Sequence, residues 1–563
     1  MTTTTPAGWQ NTGAFGPEQA NLDVSYATSL PPDAALAWVE ARLLEVQSHF
    51  ANLGTRRNNL FPIYHFPKDV LFQILSWVAF SHASSELGED PYPSYPFHAD
   101  QTQDLVHLSQ ACKLFRSAAL ERPELWVRVN LRYLTLAKMF LERSGDRLVT
   151  VCLHARSTYI SPPITLKASM LEILRPHLGR IADLDLTYTT QTPGCSDENP
   201  LAMHMPALRT LRLHNVCKAR LERARDTVDS DTQPIPSPVL PTPNDPYPRL
   251  RTVALVSLDV PWDSPLLNGL TELELSNQDL DHAPKIEEFV TVLEQCPGLE
   301  KLQLWNSGPK GPAEPLAAPD VKKVQLSHLR DLSIIQDEGR CMDISLLLSR
   351  VSIPSSTKIH IQCNEAVDPI VRFSQIFPPG HPFLQEMPKY ETLKHLHSFT
   401  FFHFRLIDEP SGGSLSFRVN RHDQTVQTST SIVDFFQAFG ETIRHVEIYP
   451  ATDNNPWAEI LGSLPNTETM KIKRDLDFSR FIVSLSLPAC TKLKKLSFEY
   501  YTHTAEHQSA WLSVVEDRAN NGMKLEELSL SFSQGDGLLT DDVVDEFRLH
   551  TDKFSHEKVR TQF

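Results

Sequence analysis

Cysteine is scarce in this chain: eight in 563 residues, irregularly spaced and without a C-x-x-C pair. That excludes the dense disulfide framework of a small secreted domain and the paired thiolates of a structural zinc site. N-x-S/T acceptor sites are lacking as well. Both absences fit reduced thiols in a cytoplasmic or nuclear protein. No run of eighteen apolar residues occurs, so no membrane span is expected. The opening MTTTTPAGWQ has no basic stretch followed by an apolar core, so no signal peptide is read there. Positive charge is in deficit, with 53 Lys and Arg against 69 Asp and Glu and a formal net charge of −16. A nucleic-acid binder would show the opposite balance.

Catalytic signatures are also missing. No P-loop, G-x-G-x-x-G, G-x-S-x-G or H-E-x-x-H occurs. His395 and His397 form an H-x-H on a predicted strand, which supplies two metal ligands where three or four are needed. His360 and Cys363 are a weaker pair. No catalytic residue, metal or cofactor is expected.

What is present is enough apolar residue, 41% of the chain, for an extensive core. Residues 1–30 are rich in Thr, Pro and Gly with few large apolars, which predicts disorder. Residues 31–62 read as one helix and a connector, with Asp33 as N-cap and Gly54 as stop. Its apolars at Leu36, Val39, Leu43, Val46, Phe50 and Leu53 step by three and four, a heptad seam. The preferred reading is a helix folded back on the next domain. The alternative is a short helix for self-association or a partner.

The most informative stretch is 63–130. After Pro67, a helix carries Val70, Leu71, Ile74, Leu75 and Val78 on one face, with Phe72 and Trp77 off that stripe. Large apolars on two faces of a short helix imply two contacts, one with its own domain and one with something else. Residues 81–104 read as a loop. A second helix is expected from Asp104, with Leu105, Leu108, Cys112 and Phe115 on one side, stopped by Pro123 before Leu125-Trp126.

This stretch resembles an F-box. The family's Leu-Pro start appears as Phe66-Pro67, and its acidic residue two positions on as Asp69. Its Ile-Leu pair is Ile74-Leu75, and its Val-Cys-Arg-like second helix is Gln110 to Arg116. Its Pro-x-Leu-Trp close is Pro123 to Trp126. Phe66, Ala111 and Phe115 replace the usual Leu, Val and Trp, all with apolar residues. The layout, with the heptad helix upstream, is similar to F-box proteins numerous in mushroom-forming fungi. The resemblance implies docking on a Skp-type linker protein through Phe66, Pro67, Leu71, Ile74, Leu75, Leu108, Cys112 and Phe115. Through that linker it implies membership of a cullin ubiquitin ligase, with an unidentified protein as target.

Residues 131–563 carry a recurring phrase, Leu-x-x-Leu-x-Leu or an apolar equivalent. Clear copies begin at Leu208, Leu250, Leu270, Leu299, Leu329, Ile443, Leu493 and Leu525, and weaker ones at Leu148, Ile181, Thr357, Leu396 and Thr467. The last three apolar positions alternate as a half-buried strand does. Helical patterns lie between phrases, as at Pro284–Cys296, Ser431–Phe439 and Trp457–Leu464. The expected fold class is therefore α/β: an N-terminal α-helical F-box, then an irregular leucine-rich-repeat solenoid of parallel strands backed by helices. Asn215, Asn277 and Asn306 follow the last Leu of their phrases by two and are read as turn residues.

Insertions are expected at the Pro-rich 232–248, at 378–390 and at 408–430, and a helical cap at Asp536–Glu546. The Pro-rich segment is read as a spacer between repeats, although Pro238 to Pro241 also fits a P-x-x-P ligand. Two alternatives accompany the adaptor reading: an F-box scaffold outside any ligase, and a plain leucine-rich interaction protein with a helical cap.

Overall fold

The structure is a computed structural model. It describes residues 17–60, 62–80, 101–153, 168–188, 204–215, 247–278, 282–310, 323–336, 341–364, 373–378, 380–387, 389–397, 401–420, 429–449, 456–473, 479–486, 490–503, 505–535 and 539–558. Of the loop expected at 81–104, residues 81–100 lie outside them and 101–104 are helical instead, and most of the Pro-rich segment lies outside as well. The chain divides into Met1–Val149 and Thr150–Phe563.

The first unit opens with α1 (Pro17–Ser29) and α2 (Pro32–Asn58). Residues 17–29 were expected to be disordered and are helical instead. Their support is a partner: Tyr26 stacks edge-on against Trp38 at 5.2 Å, and Arg42 pairs with Asp23 at 2.9 Å. Composition alone does not report such tertiary help. Gly54 does not end α2, which runs one more turn and closes with the Thr55 hydroxyl bonded to Ala51 O.

Next come α3 (Lys68–Phe80), α4 (Gln101–Ala111) and α5 (Lys113–Leu120). The expected single second helix is two helices. Cys112 is extended, with φ −160° and ψ 167°, and breaks the run. A 3-10 turn over Pro123–Trp126, a short β1 (Arg128–Asn130) and α6 (Leu134–Arg143) complete the unit. Trp126 ties these pieces together. Its Nε1–H donates to Ala119 O at 2.8 Å, Phe140 packs on its edge at 4.9 Å, and the Arg143 guanidinium lies over its ring at 4.4 Å. That places α6 with the helices before it, so the boundary falls near residue 149, later than the expected 130.

The second unit is mixed α/β with a large, mostly parallel sheet. Its strands and return helices start with β2 (Val149–Leu153), α7 (Ala168–Leu174), β3 (Ile181–Tyr188), β4 (Thr210–Asn215), β5 (Thr252–Val256), β6 (Glu272–Ser276) and β7 (Lys301–Trp305). A two-stranded ribbon joins β8 (Val324–Gln325) to β10 (Val351–Ser352), flanking β9 (Asp331–Gln336). β11 (Lys358–Asn364), β12 (Thr392–His397), β13 (Phe401–Ile407) and β14 (Ser414–Asn420) follow. The last strands are β15 (His445–Tyr449), β16 (Thr469–Lys473), β17 (Lys495–His503), β18 (Leu525–Gly535) and β19 (Thr551–Lys558).

Pairing is parallel and in step from β3 through β4, β5, β6, β7 and β9 to β11. Leu184, Leu211, Val253, Leu273, Leu302, Leu332 and Ile359 form one cross-strand row. Two residues on, Leu186, Leu213, Leu255, Leu275, Leu304, Ile334 and Ile361 form the next. All are buried. These are the second and third Leu of the repeated phrase, and their two-residue spacing puts both on one face.

The order then departs from the expected array. β11 pairs with β14, β14 runs antiparallel to β13, β13 antiparallel to β12, and β12 parallel to β15. A three-strand meander is thus inserted, and among the described strands of this sheet β13 alone opposes the common direction. The phrase read from Leu396 is not a strand start. The working phrase begins at Tyr390, which fills the first Leu position with its ring buried, and Leu393 takes the second. The segment 408–430, expected as a plain insertion, contains β14. That at 378–390 contains a short helix, Pro382–Glu386. From β15 the ladder is parallel again through β16, β17 and β18 to β19. The expected cap helix spans Asp541–His550, with β19 added beyond it.

Return helices cover the apolar face. Ile286–Glu294 buries Ile286, Phe289, Val292 and Leu293, and the Lys285 N–H at its start donates to Glu288 at 2.9 Å. In the meander, Phe404 stacks on Phe435 at 4.0 Å. Further on, Trp457, Phe481, Phe498 and Trp511 form a chain of edge-to-face contacts at 5.1, 5.5 and 4.6 Å. Turns after the strands recur too. Ser257, Asn277 and Asn306 all take positive φ, and their N–H groups bond Ser276 O, Trp305 O and Ile335 O on the next strand. Asn tolerates that conformation better than most residues, which explains its place there.

Candidate functional site

In the first unit α3 has two apolar faces. Leu71, Leu75 and Ala79 recur every four residues and are buried in the unit's own core. On the other side, Phe66 is 44% exposed, Val70 36% and Trp77 67%, with Ile74 half-buried between them. Beside this second face lies a groove of about 730 Å³ with Phe72, Trp77, Phe80 and Leu125 in its walls. Arg122 lies over the Phe72 ring at 4.1 Å and Arg128 over Phe80 at 4.8 Å. Lys68 holds Glu121 at 3.0 Å across the end of α3; that hydrogen bond, then one from Ser117, lowers the Glu121 pKa.

The expected docking residues fall into three groups. Phe66 and Pro67 are exposed and available. Ile74, Leu108 and Cys112 are half-buried. Leu71, Leu75 and Phe115 are buried, so their part in any contact is to shape the helical unit. Phe80 and Arg122 were not singled out from sequence. Aromatic residues off the core stripe of α3 were the available signal, and Phe72 and Trp77 carried it.

In the second unit the opposite face of the sheet is polar. From β15 onward its charges interlock. Glu447 takes Lys473 at 2.7 Å and Lys394 at 3.4 Å, and Lys473 also reaches Glu499 at 3.8 Å. Lys471 pairs with Glu499, and Glu527 sits between Lys495 and Lys553. Burial raises the Glu447 pKa, but the Lys473 ammonium and Tyr449 hydroxyl outweigh it and hold the carboxyl down to about 2.

The centre of the face differs. β11, β12, β13 and β14 contain no Asp or Glu, yet they carry Lys358, His360, Lys394, His403, Arg405 and Arg418. Ser416 Oγ lies 2.9 Å from His360 Nδ1 and 2.7 Å from His403 Nε2. Burial, then His360, Arg418 and Arg405, push the His403 pKa down to about 4, so its ring is neutral at pH 7. The result is a small cationic block of Lys358, Arg405 and Arg418 inside an acidic chain, with Lys394 already held by Glu447 and His403 neutral, set where the meander enters the ladder.

His360 faces this block while Cys363, three residues on, is buried on the other side of β11, so they do not converge. The side chains of His395 and His397 lie outside the described residues. Among the described residues no three His, Cys, Asp or Glu side chains are grouped as a metal site. Cys112, Cys296 and Cys490 are free thiols, and burial pushes Cys490 up to about 12, far from a reactive thiolate. No described helix is long and apolar enough to cross a membrane. No protein-family model matches the chain, and no curated protein matches it.

Proposed function

We propose that this chain is a target-recognition adaptor of a cullin-type ubiquitin ligase. In this reading the helical unit is an F-box that docks on a Skp-type linker, and the strand array is an irregular leucine-rich-repeat solenoid that holds a target protein. The supporting observation is the second face of α3. Phe66, Val70 and Trp77 stay exposed beside a groove, on the same helix whose residue order resembles an F-box. A soluble fold gains nothing by exposing such a row unless a partner covers it.

The adaptor makes no bonds itself. It acts by proximity, raising the effective concentration of target lysines near a ubiquitin-carrying enzyme to the order of millimolar. The open sheet face is the target end, and its central cationic block favours an acidic stretch of the target. The place of action is the cytoplasm or nucleus, where such ligases work.

The test is a pull-down from cells with proteasome activity blocked, using wild type and a Phe66→Glu/Trp77→Glu variant. The wild type should bring down a Skp-type linker and a cullin, and the variant neither, with its array still folded. Recovery of the linker without any cullin would replace the ligase reading with a scaffold. Recovery of neither by the wild type would remove the docking claim.

A further inference from the structure

Among the described residues nothing covers the apolar seam of helix α2, which was expected to fold back on the next domain. Leu36 is 62% exposed, Val39 37%, Leu43 55%, Phe50 66% and Leu53 42%, with Val46 half-buried between them. These residues step by three and four over three heptads. Only another helix lying alongside presents knobs at that spacing. α1 does not take this role. It packs against the neighbouring flank, through Tyr26 on Trp38 and Asp23 on Arg42.

We infer that the seam pairs with the same seam of a second copy of this chain, antiparallel, so that the protein is a dimer through α2. Two observations select a second copy. The first is charge. Asp33, Glu40 and Glu45 occupy the first half of the helix, and His49, Arg56 and Arg57 the second half. Antiparallel pairing sets each acidic half against a basic half and opposes the two helix dipoles. It also places Leu36 opposite Leu53, Val39 opposite Phe50, and Leu43 opposite Val46. Parallel pairing would stack the basic ends together. In this register Arg42 comes level with Gln47 of the second copy, and Asp23 and Glu45 already pair with it.

The second observation is area. The exposed parts of these side chains amount to on the order of 500 Å² per helix, the size of the largest functional patches on monomers. Two such stripes pressed together approach the roughly 1,000 Å² that a specific interface needs. Dimerisation would give the protein two target-binding arrays, and it does not depend on what α3 binds.

The experiment is sedimentation of the full 63.6 kDa chain at tens of micromolar. Wild type should run at twice the chain mass. Leu43→Glu should run at the chain mass, while Leu44→Glu, one residue off the seam and 67% exposed, should remain dimeric. Helix content by circular dichroism should match in all three. A monomeric wild type, or a dimer untouched by Leu43→Glu, overturns the proposal. Orientation is read by mixing Leu36→Cys and Leu53→Cys chains and mapping the oxidised peptides. Links between unlike chains are expected, and Leu36→Cys chains linked to each other would overturn the antiparallel arrangement.

Discussion

At the scale of single residues, the array is secured by polar groups that bond backbone of the repeat before them. Arg518 is almost wholly buried, and its guanidinium donates to Leu485 O at 3.4 Å and to Cys490 O at 3.1 Å. Thr357 and Thr467 use hydroxyls in the same way on Leu329 O and Ile443 O, and Cys296 uses its thiol on Leu267 O. Replacing Arg518 with Ala leaves carbonyls without a donor and opens a cavity. The expected cost is about 3 kcal/mol in urea unfolding. Asp185 behaves differently. Burial raises its pKa to about 7, against a lowering by Arg212. A carboxyl raised in the folded state binds more protons there than when unfolded, so stability is highest below its ordinary pKa of 3.8 and falls as pH rises to about 7. Asp185→Asn should remove that slope, and thermal melts of the two proteins should diverge as pH rises from 3.8 to about 7. Glu447, held at about 2, works in the opposite sense. Its contribution is full above 4.5 and fades as pH falls toward 2.

At the scale of elements, α3 and the meander mark what was legible from sequence and what was not. That α3 has a second apolar side could be read from Phe72 and Trp77 lying off the stripe, but its membership could not, since Val70 and Ile74, expected on the face of Leu71 and Leu75, lie with Trp77 on the exposed side. Which face is buried could not, because that depends on where α4 and α5 pack. Leu71→Ala should therefore cost about 3 kcal/mol of stability in urea unfolding, whereas Val70→Ala, at a partly exposed position, should cost far less. The strands of the ladder were legible wherever Leu-x-Leu repeated. β13 was not, since the alternating HFRLI pattern has no directional sense, and its antiparallel course comes from the short turn to β14. A break at Cys112 was hidden because the apolar spacing on either side of it matches one continuous helix. Close approach between helical turns was equally invisible. A Cβ on Gly440 would come within 1.7 Å of Ser463 O and 2.6 Å of Phe436 O, both backbone atoms that cannot yield cheaply. Gly440→Ala should lower the melting point by several degrees through displacement of the helix ending at Phe439, read by calorimetry.

At the scale of the whole molecule, the charge count and the local charge map point in different directions, and both matter. A net charge of −16 disfavours nucleic acid, yet the four strands of the meander region gather cations without a single carboxylate. Composition averages over such a block, so only the pairing of distant strands reveals it. The division into a helical unit and a strand array was legible from the change from three-and-four steps to alternation, although the boundary expected at 130 falls near 149. Its placement after α6 needed the contacts of Trp126. A small unit with an exposed apolar row and a long array with a polar face are what the proposed adaptor would use as its two ends. The most direct measurement of that claim is calorimetric titration of a purified Skp-type linker protein into the full chain. Wild type should bind one linker per chain with a negative heat-capacity change, and Pro67→Ala/Ile74→Asp should abolish the heat while the array melts as before. An absence of binding by the wild type, or equal binding by the variant, would contradict the account.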